Sequence, residues 1–403
     1  MGRGFRLLLS ASAVANMGDG ISLAAGPLLV ASQTRDPLLV SLALFCQYLP
    51  TLLFGALAGA IADRTDRRQL MAVANLGRAG VLVVLAGTIA TGVVNIGVVL
   101  AALFVLGTAE IFADLAASSL LPTLVKREDL GIANARLSST TQTLNGLVAP
   151  PIGAFLFAIG MALPFAANAA AFALAALLVS RLAPALARTV SPDEGPTSLR
   201  ADIVEGVRWL AGHPPMRTLV LTIIAFNVTF GAAWSVLVLY AGDRLGMDEV
   251  GFGFLMTAMA VGGIIGTAAY GRLERRFSLA DIMRVGLLIE TGTHLVLGLT
   301  TLPGVAFATF VLFGAHASIW GTTSSTVRQR AVPHELMGRV GSVHTIGSTV
   351  GMLVGTPIGG LLARTYGITA PFWFGFIGSA ILLAILWRQF GNIVHAGDHP
   401  AVA

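Results

Sequence analysis

The chain carries very little charge and almost no cysteine. Only 11% of its 403 residues are charged and 55% are hydrophobic, whereas soluble domains carry about 25% charged residues. This composition argues against a soluble globular protein. Cys46 is the single cysteine, which excludes an intramolecular disulfide. The histidines are scattered without metal-ligand spacing, so we expect no bound metal.

Long apolar stretches occupy most of the sequence. Because a helix needs about 20 mostly apolar residues to cross a bilayer, this pattern predicts an all-α integral membrane protein with twelve transmembrane helices. The predicted spans are 6–32, 38–62, 69–91, 95–121, 138–160, 163–182, 216–241, 250–271, 282–302, 304–326, 342–363 and 370–388.

The loop arginines predict the orientation in the membrane. A cytoplasmic N-terminus leaves only Arg35, Arg244 and Arg364 outside and puts the other loop arginines inside. Since loops rich in arginine stay in the cytoplasm, we predict a multi-pass protein of the bacterial cytoplasmic membrane with both termini cytoplasmic. The bacterial source is inferred from abundant alanine, glycine and arginine with a single lysine, Lys126. The net charge of +5 then reflects topology, and we expect no nucleic-acid partner.

The apolar pattern divides the chain into two halves joined by a polar segment. We predict an N-terminal six-helix bundle over 1–183, a cytoplasmic linker over 184–215, and a C-terminal six-helix bundle with a short tail over 216–403. The linker should contain a short amphipathic helix on the inner membrane surface, because four apolar residues recur there at helical spacing: Leu199, Ile203, Val207 and Leu210.

The two halves resemble each other. Arg67-Arg68 match Arg275-Arg276 at a shift of 208 residues, and Pro164-Phe165 match Pro371-Phe372 at a shift of 207. A near-constant shift across half the chain indicates duplication, although chance matching among small residues is the alternative. Duplicated halves are typical of secondary transporters, which bind substrate near the membrane midplane.

The loop after the second span carries a recognisable motif. Residues 59–68 read GAIADRTDRR, which resembles the signature loop of the major facilitator superfamily, with Asp66 where glycine is common. Gly18-Asp19-Gly20-Ile21, with Leu121-Pro122 and Ala133-Asn134, is similar to the branch of macrolide-efflux and enterobactin-exporter-like proteins. The resemblance implies a major facilitator fold of two pseudo-symmetric six-helix bundles and transport by alternating access.

The same loop is a candidate cytoplasmic gate. Asp63 at the membrane edge can pair with an arginine or a helix N-terminus and hold the inner side closed. The alternative is a solvated loop whose arginines only fix the topology. The candidate gate residues are Gly59, Asp63, Arg64, Arg67 and Arg68.

Two spans carry helix-breaking or small residues in regular positions. Gly146, Pro150, Pro151 and Gly153 in the fifth span resemble the antiporter motif of exporters, with Ala149 where glycine is usual, so we expect an antiporter-like hinge. The eleventh span carries a glycine stripe, which we expect to face the fifth span as a sliding contact: Gly347, Gly351, Gly355 and Gly359. Ordinary small-residue packing is the alternative.

Ionisable residues inside the predicted spans are few, and each is a functional candidate. Asp19 lies mid-span in the first helix, and Glu110 and Asp114 lie one turn apart in the fourth. We predict that these three carboxylates carry proton coupling, with Arg78 as their charge partner. We expect Arg78 to pair with Asp114, which leaves Asp19, our first choice for the coupling residue, and Glu110, our second, free to exchange protons.

The second half adds polar and aromatic candidates. Glu290 and His294 share a helix face, as a satisfied structural pair or as a proton relay. The predicted substrate-cavity residues, whose tryptophans could instead be interfacial anchors, are Asn16, Gln47, Asn227, Trp234, His316 and Trp320.

These features predict a proton-coupled exporter of amphipathic organic small molecules, of the drug, macrolide or siderophore class. We expect no cofactor and no enzymatic activity, since the sequence has no phosphate-binding loop and no visible nucleophile-base set. The expected partners are the substrate, protons and membrane lipid around a monomer. A lipid or lysophospholipid flippase of the same fold and a non-transporting membrane sensor or partner-binding protein are the alternatives.

The orientation can be tested with accessibility tags. We expect tags at residue 190 and at the C-terminus to be reached only from the cytoplasm, and a tag in the loop over 243–249 only from outside, because of the arginine asymmetry. Labelling of intact and permeabilised cells with a membrane-impermeant reagent measures this. External labelling at residue 190 would reverse the orientation.

Overall fold

The computed structural model describes residues 2–182 and 199–390. The side chains of Ala56, Asp63, Leu199 and Arg200 also lie outside the description, as do residues 183–198, which include the first part of the predicted linker over 184–215. Within the described residues every regular element is helical.

The first half contains seven α-helices and two short segments of other helix types. The α-helices are α1 (Arg3–Gln33), α2 (Pro37–Arg64), α3 (Arg67–Ala90), α4 (Ile96–Leu124), α5 (Leu130–Thr141), α6 (Ala149–Ile159) and α7 (Leu163–Ser180). A 3₁₀ turn, Arg127–Asp129, precedes α5, and a π-helix, Gln142–Val148, joins α5 to α6.

The second half begins with the linker helix α8 (Leu199–Gly212). The helices that follow are α9 (Pro214–Trp234), α10 (Leu237–Leu239), α11 (Glu249–Arg276), α12 (Leu279–Leu299), α13 (Pro303–Ala331), α14 (Met337–Tyr366) and α15 (Ala370–Leu386). A π-helix, Tyr240–Arg244, follows α10, and a 3₁₀ turn, His334–Leu336, precedes α14.

The transmembrane character of the chain is confirmed. Within the described ranges, 11 helical segments are long and apolar enough to cross a membrane, and α15 is a shorter apolar helix. Helices also present large apolar side chains at their surface, as α3 does with Val73, Leu76 and Val84, each more than 60% exposed. Such surfaces suit a lipid environment.

Several helices extend beyond the predicted spans. The fifth span is helical from residue 127 rather than 138, and α13 continues to Ala331 rather than 326. These extensions are polar, so a search for apolar runs stops where the helix leaves the hydrocarbon although its backbone hydrogen bonds continue.

Polar side chains and prolines define where helices begin. Asp66 accepts a hydrogen bond from the backbone N–H of Arg68 at 2.9 Å and caps α3, and Asn95 caps α4 through the N–H of Val98. The Asp66 that departs from the family motif therefore has a local structural role. Pro37, at the start of α2, places its missing N–H where no helical bond is lost.

The double proline explains the break in the fifth span. Pro151 has no N–H to bond the carbonyl of Leu147, and the π-helix ends directly before α6. The hydroxyl of Thr257 donates to that Leu147 carbonyl at 3.2 Å. A side chain therefore replaces the backbone donor that proline removes.

The chain forms two compact units. Unit 1 contains residues 1–190 and 241–260, and unit 2 contains 191–240 and 261–403. One apolar core of unit 1 lies around Phe5, Leu8 and Leu120, and the core of unit 2 includes Met216, Met283 and Val340.

Glycines set the closest helix contacts within each unit. In unit 2, a Cβ on Gly355 would collide with the carbonyl of Val228, and one on Gly359 with the carbonyl of Ala232. The glycine stripe of α14 therefore packs on α9, so the expected fifth-span partner is wrong. The stripe removes the side chains that would separate two backbones.

The linker contains the helix α8, which packs on α14, and its position on the inner membrane surface stays a prediction. Gly206 lies against the backbone of Arg339, whose guanidinium pairs with Asp202 at 2.9 Å and with Glu205 at 2.8 Å. Val207 is half exposed, whereas Leu210 is buried. Helix α8 therefore contacts unit 2 through these ion pairs and through Leu210, which belongs to the core of unit 2.

Candidate functional site

Unit 1 contains a charged cluster around one buried arginine. Arg78 on α3 forms an ion pair with Asp19 on α1, and its Nη2 lies 3.8 Å from Oε2 of Glu110 on α4. The guanidinium carbon sits 3.9 Å from the ring centre of Phe172 on α7. We call Arg78, Asp19, Glu110 and Phe172 the Arg78 cluster.

The members of the Arg78 cluster differ in exposure. The side chain of Arg78 is 5% exposed and that of Asp19 is 20% exposed, whereas that of Glu110 is 49% exposed. Arginine keeps its charge at any physiological pH, and Phe172 adds a cation–π contact. The cluster thus holds one permanent positive charge opposite two carboxylates, one of which is accessible.

The expected Arg78–Asp114 pair is wrong, because Arg78 pairs with Asp19. Helices α3 and α4 are consecutive, so the depth of their residues in the membrane can be compared by counting residues from the loop that connects them. Arg78 lies 12 residues before the end of α3 at Ala90, and Glu110 lies 14 residues after the start of α4 at Ile96. Asp114 lies one turn further along α4, beyond the level of the guanidinium.

The expectation for Asp19 is also wrong. This carboxylate was expected to have no permanent partner, whereas it is the carboxylate nearest to Arg78. Glu110 is the less engaged of the two carboxylates, because its distance to Arg78 is 3.8 Å.

Buried amides that sequence reasoning missed lie near this cluster in the helices. Asn75, one turn before Arg78, is 1% exposed, and neither side-chain polar atom has a hydrogen-bond partner among the described residues. Asn168 on α7 donates to the hydroxyl of Ser22 at 2.5 Å. The sequence feature that could have identified both residues is an asparagine inside an apolar span.

The candidate gate residues lie at the junction of α2 and α3. Arg67 donates to the carbonyl of Ser119 at 3.5 Å, and Arg68 donates to the carbonyl of Leu182 at 3.1 Å. Both arginines thus bond carbonyls of their own unit, and Arg68 bonds at the end of α7. Gly59 and Arg64 lie in α2, as does Asp63, whose side chain is outside the description. A gating role stays a prediction.

The candidate hinge residues make close backbone contacts within unit 1. A Cβ on Gly153 would collide with the carbonyl of Ile21, and one on Gly146 would lie 3.2 Å from the Cβ of Ala260. Pro150 and Pro151 begin α6 directly after the π-helix. The four residues therefore occur together at the irregular point of the fifth span, and the antiporter role stays a prediction.

The candidate cavity residues are divided between two kinds of environment. Asn16, Gln47 and Asn227 are partly buried, and the amides of Asn16 and Asn227 donate to carbonyls one turn back in their own helices. His316 and Trp320 on α13 are buried, at 3% and 7% exposure.

An aromatic ladder joins α9 to α13 in unit 2. Phe226 stacks on Trp320 with ring centres 6.4 Å apart, and Phe230 stacks on Phe313 at 5.7 Å. Trp234 packs on Phe230 and borders a cavity of about 20 Å³. His316 and Trp320 are thus interior residues rather than interfacial anchors or open cavity walls.

His316 also lies beside the Glu290–His294 pair. Oε1 of Glu290 is 3.5 Å from Nδ1 of His294, and Oε2 is 3.6 Å from Nε2 of His316. Sequence reasoning found the pair on α12 but missed its contact with His316. This contact could have been predicted, because α12 and α13 are joined by a short connection and their residues are therefore neighbours.

Comparison with known families places the chain. A family model described as "Transmembrane secretion effector" matches residues 2–394. The chain belongs to this family of major facilitator superfamily transporters. The resemblance inferred from the signature loop is thereby confirmed.

Curated relatives of this major facilitator transporter include exporters. The enterobactin exporter EntS of Shigella boydii serotype 4 is 27% identical over 423 residues, which cover 98% of this chain and 95% of EntS. EntS of Escherichia coli O157:H7 is 27% identical over 363 residues, which cover 84% of this chain and 82% of EntS.

Solved structures share the fold. A bacterial homologue of the human lysosomal transporter Spinster is 16% identical, with a TM-score of 0.75 and full coverage of both chains. A bacterial homologue of the iron transporter ferroportin is 20% identical, with a TM-score of 0.73, and 97% of this chain and 98% of that chain are covered. The all-helical major facilitator fold is thus confirmed.

The Arg78–Asp19 pair can be tested by a double-mutant cycle. Arg78→Gln should destabilise the protein by roughly 3 kcal/mol, because it leaves Asp19 in a protein interior without its partner. Asp19→Asn combined with Arg78→Gln should recover a large part of that loss. Thermal unfolding in detergent measures Arg78→Gln, Asp19→Asn and the double variant.

Asp114→Asn is the matched control, since it changes a carboxylate of α4 that is not the partner of Arg78. It should alter stability by less than about 0.5 kcal/mol. Additive losses in the double variant would show that Arg78 and Asp19 do not stabilise each other.

Proposed function

We propose that this transporter exports amphipathic organic compounds, of the siderophore or drug class, in exchange for protons. The similarity to the enterobactin exporter EntS, over nearly the full length of both chains, supports export and a siderophore-like cargo. The Arg78 cluster supports proton coupling. It combines a permanent buried charge with two carboxylates of unequal exposure.

Charge balance in the Arg78 cluster favours Glu110 as the proton carrier. With both carboxylates ionised, one positive and two negative charges leave a net charge of −1. Asp19 already compensates the guanidinium, so a proton on Glu110 makes the cluster neutral. The half-exposed side chain of Glu110 can exchange that proton, whereas Asp19 is held by Arg78.

Asp114 contributes a further negative charge one turn along α4. Two carboxylates on one helix face repel each other, and this repulsion favours proton uptake by one of them. We therefore propose Asp114 as a modulator of proton uptake by Glu110, and Asp19 as the residue that positions Arg78.

Alternating access determines the directions in which protons and cargo cross the membrane. A proton and a cargo molecule can each bias the balance between two conformations of similar free energy. A proton that enters from outside and leaves to the cytoplasm drives cargo outward. We place the protein in the bacterial cytoplasmic membrane as a monomer surrounded by lipid, with both termini inside.

A cell-based efflux assay with a Glu110→Gln variant tests this proposal. The panel contains a macrolide, a cationic dye, a catecholate siderophore and a lysophospholipid, each measured with and without a collapsed proton gradient. The protein should lower accumulation of at least one organic compound only while the gradient is intact. Glu110→Gln mimics the protonated carboxyl, so gradient-driven efflux should fall roughly 10-fold or more.

Glu128→Gln is the matched control for Glu110→Gln. Glu128 is an exposed glutamate that pairs with Lys126 at 3.7 Å at the surface, so this variant should transport normally. Downhill cargo movement should survive in Glu110→Gln, because the cargo-binding residues are unchanged. Full gradient-driven efflux in Glu110→Gln would contradict its role, and transport of the lysophospholipid alone would favour a flippase.

A further inference from the structure

Unit 2 contains a second buried titratable cluster, which the proposed function does not use. Glu290 is fully buried, and His294 and His316 are each 3% exposed. We call these three residues the Glu290 triad. Its two histidines approach opposite oxygens of one carboxylate, at 3.5 and 3.6 Å.

The hydrogen-bond geometry shows which ring nitrogen of neutral His294 carries the proton. Nδ1 of His294 lies 3.0 Å from the backbone carbonyl of Glu290. Because a carbonyl only accepts hydrogen bonds, the proton of neutral His294 is on Nδ1, on the side of Glu290. Neither carboxylate oxygen of Glu290 nor Nε2 of His316 has a hydrogen-bond partner among the described residues.

The surroundings of the triad offer little other charge. Helix α15 packs on α12 and has no titratable side chain in Ala370–Leu386. On α12, Asp281 and Arg284 pair with each other at 2.9 Å in the first turns. The phenol of Tyr240 donates to the carbonyl of Leu297 at 2.6 Å.

The other charges on the neighbouring helices lie near helix ends, as do Glu249 at the start of α11 and Arg272, Glu274, Arg275 and Arg276 near its end, whereas Tyr270 of α11 is titratable but neutral. Arg217 is in the first turn of α9 and donates to the carbonyl of Ala211. Arg328 and Arg330 are in the last turn of α13. The net charge in this part of unit 2 therefore depends on how many protons Glu290, His294 and His316 hold.

Two glycines leave room for the imidazole rings. A Cβ on Gly286 would lie 2.9 Å from Nδ1 of His316 and 2.9 Å from the ring of Trp320. A Cβ on Gly375 would collide with the ring of His294. The two glycines therefore allow the rings of His316 and His294 to pack directly on α12 and α15.

Proton counting gives the triad a chemical role. An ionised Glu290 with two neutral histidines would be an uncompensated buried charge, which is strongly unfavourable. One added proton, on the carboxylate or on a histidine, makes the triad neutral. A second proton would make it a cation. We propose that the Glu290 triad is a proton-binding site of unit 2, separate from the Arg78 cluster.

The triad adjoins the aromatic cavity through His294. That cavity is bordered by Phe230, Trp234, Phe310 and Phe313, and His294 is its one ionisable lining residue. A proton on His294 places positive charge beside aromatic rings, which attract cations. The link from this site to a transport cycle rests on the proposed proton coupling, whereas proton binding itself does not.

Trp320 provides a direct optical readout. Its ring centre is 5.8 Å from that of His316, and a protonated imidazole quenches the fluorescence of a neighbouring indole. The Trp320 signal is the emission of the purified full-length protein in detergent minus that of a Trp320→Phe variant. We expect this signal to fall as the pH is lowered from about 8 to 5, the range in which histidine gains charge.

Three variants identify the group that binds the proton. His316→Gln should abolish the pH-dependent change in Trp320 emission, and Glu290→Gln should alter it, because Oε2 of Glu290 lies 3.6 Å from Nε2 of His316. His334→Gln is the matched control, because His334 is exposed in the turn before α14, and it should leave the titration unchanged. If the triad variants fail to fold, the wild-type and Trp320→Phe titrations still decide the question.

Two results would overturn the proposal. They are a Trp320 signal without pH dependence in the folded wild-type protein, and a titration that persists unchanged in His316→Gln. The efflux assay is independent of this readout. If Trp320 emission does not change with pH while gradient-driven efflux is intact, the triad is not a proton-binding site and the proposed function stands. A normal titration in a protein whose efflux ignores the gradient supports the proton site and removes the proposed coupling.

Discussion

The buried positive charge of Arg78 is the constraint on which unit 1 depends. A guanidinium cannot release its proton, so an interior position requires a carboxylate and, where available, an aromatic face. Asp19 supplies the carboxylate and Phe172 the ring, which ties α1, α3 and α7 to one point. Glu110 adds α4 to the same point and brings a second negative charge. In the proposed mechanism, Glu110 is the carboxylate that exchanges protons.

The two units share a packing scheme but differ in their interior chemistry. In unit 1 a glycine of the fifth span meets the backbone of α1 at Ile21, and in unit 2 glycines of α14 meet the backbone of α9. These corresponding helix pairs fit the internal duplication inferred from sequence. Interior charge is placed differently: unit 1 uses an arginine with carboxylates, and unit 2 uses Glu290 with two histidines.

The membrane-spanning helices could be predicted from sequence because hydropathy identifies segments that can cross a bilayer, and the resemblance of the loop over 59–68 implied their major facilitator arrangement. Side-chain partners could not be predicted in this way, because they depend on rotation and register between helices. The expected Arg78–Asp114 pair failed on a register difference of one turn, although counting from the α3–α4 connection favours Glu110. The glycine stripe was recognised, but its partner helix depends on tertiary packing. His316 was expected to face a cavity, whereas stacking and Glu290 keep it in the interior.

Coupling between cargo and proton movement can be measured in proteoliposomes. Purified protein is reconstituted with a pH-sensitive dye inside the vesicles, and an effluxed compound is applied as a concentration gradient without any initial pH difference. We expect cargo flux to drive protons in the opposite direction in the wild-type protein, and Glu110→Gln to carry cargo without moving protons. Cargo flux through the wild-type protein with no change in internal pH would show that cargo and protons are not coupled.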